Sequence, residues 1–269
     1  MTYKSVLVHV EPNPLSDARV AAAAGLARRF HGRLIGIGAQ AFMPTADFGY
    51  GYLDGEAIQA LRDHLEDNLK SSQARFEEAA KGLPSLWRSY VDLPGRVMAA
   101  EARGADLVVA SRAAPRNDQT GSVNPGELIM SAGLPVIVMP PGETEVVGKR
   151  ILIGWKNTLQ ARSAITESLP LLVEAEDVLL SRVIVSEGET QDELQDVADR
   201  LKLHGVQVRP DTRPRAGRVA QDLLSLAAEQ ELDLIVVGAY AHARTAQWVF
   251  GGVTDDLLRT ADRPVLFAR

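Results

Sequence analysis

The segment Asp106-Leu107-Val108-Val109-Ala110-Ser111 is echoed by Asp233-Leu234-Ile235-Val236-Val237-Gly238. Each copy then runs through a polar or glycine-bearing stretch and a short helical pattern to a Pro-Val strand, Pro135 to Met139 and Pro264 to Ala268. Repetition at this spacing predicts one architecture built twice. It also turns every difference between the copies into a clue about function.

The patterning around the repeat names that architecture. The first half opens with an apolar, β-branched run, Val6 to Val10, too short for a helix, then a turn at Glu11-Pro12-Asn13-Pro14. A helix over Ser16 to Phe30 is predicted next, capped by Ser16 or Asp17. A strand at Arg33 to Ala39, a long helix at about Glu56 to Lys81, a strand near Leu86 to Val91, a helix at Arg96 to Arg103 and a strand at Leu107 to Ala110 follow. The second half repeats this order: strand Ile151 to Trp155, helix Ala161 to Val173, strand Val178 to Val185, helix Glu189 to His204, strand Val206 to Arg209, helix Val219 to Glu229 and strand Leu234 to Val237. Strands alternating with helices of this length predict parallel strands joined by right-handed crossovers with helices on both faces. The expected fold class is α/β, two tandem doubly wound domains, each with a five-stranded, mainly parallel sheet of Rossmann-like kind. The expected boundaries are 1–141 and 149–269, joined by a linker at 142–148. That linker contains Gly142 and then Gly148-Lys149-Arg150, but no Ser or Thr follows the lysine and the spacing is wrong for a P-loop.

Composition removes several function classes. A length of 269 residues with 46% apolar content suffices for two cores of roughly 130 residues each. A net charge of −6 argues against nucleic acid as a partner, because such binders gather Lys and Arg on one face. With no cysteine, thiolate catalysis and Cys-ligated zinc are excluded. No apolar run approaches bilayer length, and the start of the chain reads as strand rather than signal peptide, so the expectation is a cytoplasmic protein without a membrane anchor. The five histidines, His9, His31, His64, His204 and His242, form no metal-ligand pair, so no metal is expected beyond any Mg that accompanies a phosphate ligand.

In parallel α/β sheets, ligands bind beyond the C-terminal strand ends, where backbone amides and the next helix's N-terminus point outward. In the second half this place reads Gly238-Ala239-Tyr240-Ala241, nine residues from His242 to Phe250, then Gly251-Gly252-Val253-Thr254. This spacing, with the tandem repeat and the Pro-Val last strand, resembles the universal stress protein family, specifically its tandem two-domain members with an adenine nucleotide alpha hydrolase-like fold. The resemblance covers nearly the whole chain. Its nucleotide-binding members carry Gly, two residues, Gly, nine residues, then Gly followed by Ser or Thr, and that loop is implied to hold ATP phosphates and ribose. Gly238 and Gly251 match; Ala241 replaces the second glycine and Gly252 the hydroxyl residue.

The resemblance implies a second-half nucleotide site at Gly238, Ala241, His242, Arg244, Gly251, Gly252, Val253 and Thr254, with Trp155 and Lys156 at the adenine end. Ala241 weakens the motif if its position requires positive φ. Thr254 would replace the lost hydroxyl, and His242 and Arg244 would add donors for anionic oxygens. The family's strand-one Asp corresponds to Glu11 in the first half and to Lys156 in the second, and a lysine cannot accept a hydrogen bond. Trp155 would either stack on a base or belong to the core. The first-half counterpart, Ser111-Arg112-Ala113-Ala114 through Asn124-Pro125, keeps no glycine of the pattern, so that half is expected to be nucleotide-free. The aromatic segment Phe42 to Tyr52 reads either as a loop over a core or as a lid or partner surface.

No catalytic constellation stands out, so no catalytic residue is assigned. The leading expectation is a stress-response protein whose second domain binds ATP, AMP or another adenine nucleotide and acts through conformation or partner binding. The alternatives are a nucleotide-independent tandem scaffold and, third, a weak ATPase. The family also implies pairing through the last strands, which would make the two halves an intramolecular pseudo-dimer and leaves a further homodimer open.

Overall fold

The computed structural model describes residues 2–42, 55–112, 121–184, 192–240 and 252–269. Ten strands form a single sheet. In the first half these are β1 (Ser5–His9), β2 (Arg33–Ala39), β3 (Ser85–Tyr90), β4 (Leu107–Ser111) and β5 (Val136–Met139). In the second they are β6 (Arg150–Gly154), β7 (Asp177–Ile184), β8 (Val208–Pro214), β9 (Leu234–Gly238) and β10 (Val265–Ala268). The order across the sheet is β3-β2-β1-β4-β5-β10-β9-β6-β7-β8. All neighbours run parallel except β5 and β10, which pair antiparallel with Ile137 opposite Leu266. The two last strands therefore join the halves, and neither is left as an open edge. Between β5 and β6 the chain forms no helix or strand.

The described helices are α1 (Asp17–Arg29), α2 (Gly55–Ala79), α3 (Pro94–Glu101), α4 (Pro125–Ser131), α5 (Leu159–Glu174), α6 (Asp192–Leu203), α7 (Val219–Glu229) and α8 (Val253–Thr260). Apolar residues of α1, α2, α5 and α6 pack on one face of the sheet, and those of α3, α4, α7 and α8 on the other. Both cores run through both halves. Strand residues alternate between them: Val6 and Val8 face the first core and Leu7 the second.

The aspartate that opens each copy of the repeat has a structural cause. Asp106 Oδ2 accepts the amides of Lys4 (2.7 Å) and Ser5 (2.8 Å), and Asp233 Oδ2 accepts those of Lys149 and Arg150, both at 3.1 Å. Each carboxylate fastens the start of its half's first strand to the strand beside it, satisfying amides at the sheet's rim.

Two local expectations are corrected. Ser16 stands at the N-cap of α1, but its side chain makes no capping bond: a single 3₁₀ turn, Pro14–Ser16, comes first, with Asn13 accepting from the Leu15 amide. The Ser16 hydroxyl turns back to the Glu11 carbonyl and accepts from the Glu11 amide, both at 3.2 Å. The strand expected at Val206 to Arg209 runs instead from Val208 to Pro214. Two prolines lie within it, and β8 is an outer edge of the sheet. Val178 N donates to Gln207 O, so by alternation residues 207, 209, 211 and 213 face β7. Pro210 and Pro214 then face outward, where a missing N–H breaks no ladder bond.

Candidate functional site

Each half reverses its winding direction beside its first strand: β1 lies between β2 and β4, and β6 between β7 and β9. This is where doubly wound sheets take ligands. The two crevices are filled differently.

In the first half Arg19, the third residue of α1, lies across the strand ends and is 6% exposed. Its Nε donates to the His9 carbonyl (2.9 Å), Nη1 to Ser111 Oγ (3.1 Å) and Nη2 to Glu11 Oε1 (2.9 Å). One guanidinium thus satisfies three acceptors from β1, the turn after it and the end of β4. Glu11, at the place of the family's carboxylate, is 7% exposed and already paired. His9 lies beneath, 2% exposed, with Nε2 3.2 Å from the Ala39 carbonyl and Nδ1 without a partner. Burial first, and then the charge of Arg19, push its pKa down to about 3, so the ring is neutral and Nε2 carries the proton.

The sequence reading did not single out Arg19, although a signal was present. Positions 19, 23 and 27 lie on one face of α1, and Ala23 and Ala27 are fully buried. A charge on that stripe requires an internal partner.

In the second half Ala161 is the third residue of α5 and Gly238 ends β9, so Ala replaces Arg and Gly replaces Ser. The helix closes directly on the strand: a Cβ on Gly238 would lie 2.4 Å from Ala161 N and 2.5 Å from the Gln160 carbonyl carbon. Gly238 thus makes room for a helix backbone, whereas the motif implied a ligand phosphate. This resembles the glycine that permits close helix–strand packing in dinucleotide folds.

Gly252 stands before α8 at φ 112°, ψ −169°, a conformation that in practice only glycine adopts. Gly252 has no side chain to cap that helix start, and the amides of Val253 and Thr254 stand at its N-terminus. Thr254, expected to offer its hydroxyl to a ligand, is 8% exposed, and its Oγ1 accepts the Tyr240 amide at 3.3 Å. Tyr240 is in the left-handed region at φ 53°, a conformation costing about 1 to 2 kcal/mol for a residue with a Cβ. Asp255 and Asp256 occupy the first turn of α8, paired with Arg259 and Arg218, each at 3.2 Å. They complement the helix dipole, and they repel an incoming phosphate.

Trp155, proposed at the adenine end, belongs to the core: it is 6% exposed among apolar neighbours, and its Nε1 has no acceptor. Its position just past β6 on the face of Ile151 and Ile153 buries it, so it presents no open ring for stacking. Lys156 is exposed at the end of β6. Ala241, His242, Arg244 and Gly251 lie outside the described residues, as do Met43 to Tyr52 of the aromatic segment. The structure thus places Gly238, Gly252, Val253 and Thr254 at one crevice and removes Trp155 from it. Among the described residues no group of three or more His, Asp or Glu side chains is placed to hold a metal, and no helix is long and apolar enough to cross a membrane. A separate groove of about 490 Å³ lies at the seam of the halves, lined by Met130, Leu134, Leu159, Gln160 and Ser163.

Comparison with known proteins bears on this arrangement. Residues 151–269 match the model of the Universal stress protein family. A universal stress protein from Archaeoglobus fulgidus DSM 4304 has a similar structure over 98% of this chain and 96% of its own, at 14% identity and a TM-score of 0.75. A functionally unknown protein from Pseudomonas aeruginosa PAO1 matches over 99% and 92%, at 16% identity and a TM-score of 0.57. At these identities the likeness is one of fold. No curated protein matches the chain. The family match lies within the second half, and the first half repeats the same α/β fold in the one sheet.

Proposed function

We propose that this tandem universal stress protein divides its labour between domains 1–141 and 149–269, joined by the linker 142–148. The first domain is a nucleotide-free structural half. The second takes an adenine nucleotide, ATP or AMP, at the C-terminal ends of β6 and β9 and signals its occupancy through conformation or partner binding. The observation that carries this reading is the difference at one helix position. Arg19 fills the first crevice and spends the Glu11 carboxylate, while Ala161 at the same place in α5 reaches no acceptor. Gly252, with the amides of Val253 and Thr254 behind it, supplies the donors at the second crevice.

Calorimetry with ATP, ADP and AMP tests this. The expected result is one site per chain, lost in Gly252→Val, whose side chain strains the φ 112° conformation. Nucleotide at 100 times Kd raises stability by about 2.7 kcal/mol, visible as a rise in Tm. A nucleotide-independent scaffold is the second reading. It is favoured by Thr254 being committed to Tyr240 and by two carboxylates at the start of α8. Absence of both heat and thermal shift at millimolar nucleotide would sink the first reading and leave the second.

A further inference from the structure

The segments that follow β4 and β9 are equivalent in the two halves, and their starts are clasped across the seam. Arg112, just after β4, sends Nη1 to the carbonyls of Arg259 (3.0 Å) and Ala261 (3.3 Å), at the C-terminal end of α8. Tyr240, just after β9, reaches the other way. A Cβ on Gly126, the second residue of α4, would lie 2.8 Å from the Tyr240 phenolic oxygen and 3.6 Å from a Leu258 methyl of α8. The start of each segment thus reaches the opposite half. Gly126 itself is anchored, its amide donating to Asn124 Oδ1 at 2.9 Å.

Three features identify Tyr240 as a strut. Its φ of 53° is unfavourable for a tyrosine and persists only where surrounding contacts fix it. Its amide donates to Thr254 Oγ1, which ties the end of β9 to the first turn of α8. Its buried phenolic oxygen has no hydrogen-bond partner among the described residues, where the ring is seated by packing.

We infer that Tyr240 is a positioning residue through which α4 of the first half sets the seat of the α8 N-terminus in the second. The first half thereby acts on the second-half crevice without contributing a side chain that touches ligand. This rests on the proposed nucleotide reading for its effect on affinity. Its effect on α8 needs no ligand.

The test is Gly126→Ala, a substitution wholly within the first half. Gly126 is not at positive φ, and alanine suits a helix, so the close contact with Tyr240 is the disturbance. Hydrogen exchange is read at Asp256, whose amide donates to the Gly252 carbonyl at 3.1 Å, and at Leu257. The expected result is exchange faster by about fivefold at these amides, with the strands of both halves unchanged. The double variant Gly126→Ala with Tyr240→Phe removes the oxygen in the way and restores the wild-type rate. Unchanged exchange in α8, acceleration spread over the whole sheet, or no restoration in the double variant would each overturn the inference. If calorimetry shows nucleotide binding, Gly126→Ala weakens it by a similar factor and Tyr240→Phe rescues it. If calorimetry shows none, the exchange measurement still decides the coupling.

Discussion

The contact of α1 with the end of β4 and that of α5 with the end of β9 are made in two ways within one chain. In the first half a long side chain bridges the gap: Ser111 keeps its Cβ, and Arg19 fills the space with hydrogen bonds. In the second half the gap closes by backbone approach, because Gly238 lets α5 settle on β9. The difference shows that a glycine in a ligand motif can serve packing, and that a charged side chain can serve the equivalent contact when its donors meet a strand-end carbonyl, a carboxylate and a hydroxyl.

The comparison breaks most visibly at the buried ion pair. Arg19→Ala leaves Glu11 as an uncompensated buried charge and is expected to cost about 3 to 5 kcal/mol in urea unfolding. Adding Glu11→Gln should recover part of that loss. An effect below about 1 kcal/mol would show that the network is not internally held. Gly238→Ala comes next, at about 2 to 3 kcal/mol, because the added methyl meets helix backbone rather than a side chain that can turn away. The mirrored change Ser111→Gly should cost only about 1 kcal/mol. Equal costs at the two positions would remove the distinction between a bridged and a directly packed helix–strand contact.

A pH series sharpens the same contrast, since the first crevice holds the buried imidazole of His9. The folded-state pKa of His9 is pushed down to about 3 from 6.5, mainly by burial. Between those values the unfolded chain binds a proton that the folded chain refuses, so stability falls as pH drops through this window. The loss is about 1.4 kcal/mol per pH unit from this group. His9→Gln should flatten the dependence of Tm on pH between 6 and 4, and an unchanged slope would rule out His9 as its source.

Much of the fold was legible because periodicity and repetition report on the sheet directly: the strand at Arg33 to Ala39 and the helix at Val219 to Glu229 match the structure end to end. The pairing of the last strands also held. The misses share one cause, a tertiary contact overriding local chemistry. Strand β8 runs on through Pro210 and Pro214 because it is an edge of the sheet, and Ser16 looks like a cap until Glu11 takes it. The candidate site was less readable for the same reason. Thr254 and Trp155 have suitable chemistry, but the Tyr240 amide and the core had already engaged them. Only the neighbours of a residue reveal that.

The smallest effect concerns the repeat itself. Asp106 and Asp233 make matching bonds to two strand-start amides, so a reading from sequence treats them as equal. Their surroundings differ. Burial raises the folded pKa of Asp233 despite its bonds to the Arg150 and Lys149 amides, and its buried Oδ1 has no hydrogen-bond partner among the described residues. A raised folded pKa means the contribution of this group is fully present below its unfolded value and lost as pH rises through the folded one. At pH 7 its charge is therefore a burden. Asparagine keeps one carbonyl oxygen for the same amides and carries no charge. Asp233→Asn is expected to lie within about 0.5 kcal/mol of neutral or to stabilise, while Asp106→Asn costs about 1 kcal/mol by weakening a charge-assisted acceptor. Matched losses at the two sites would mean that the repeat's aspartates are equivalent in energy as well as in geometry.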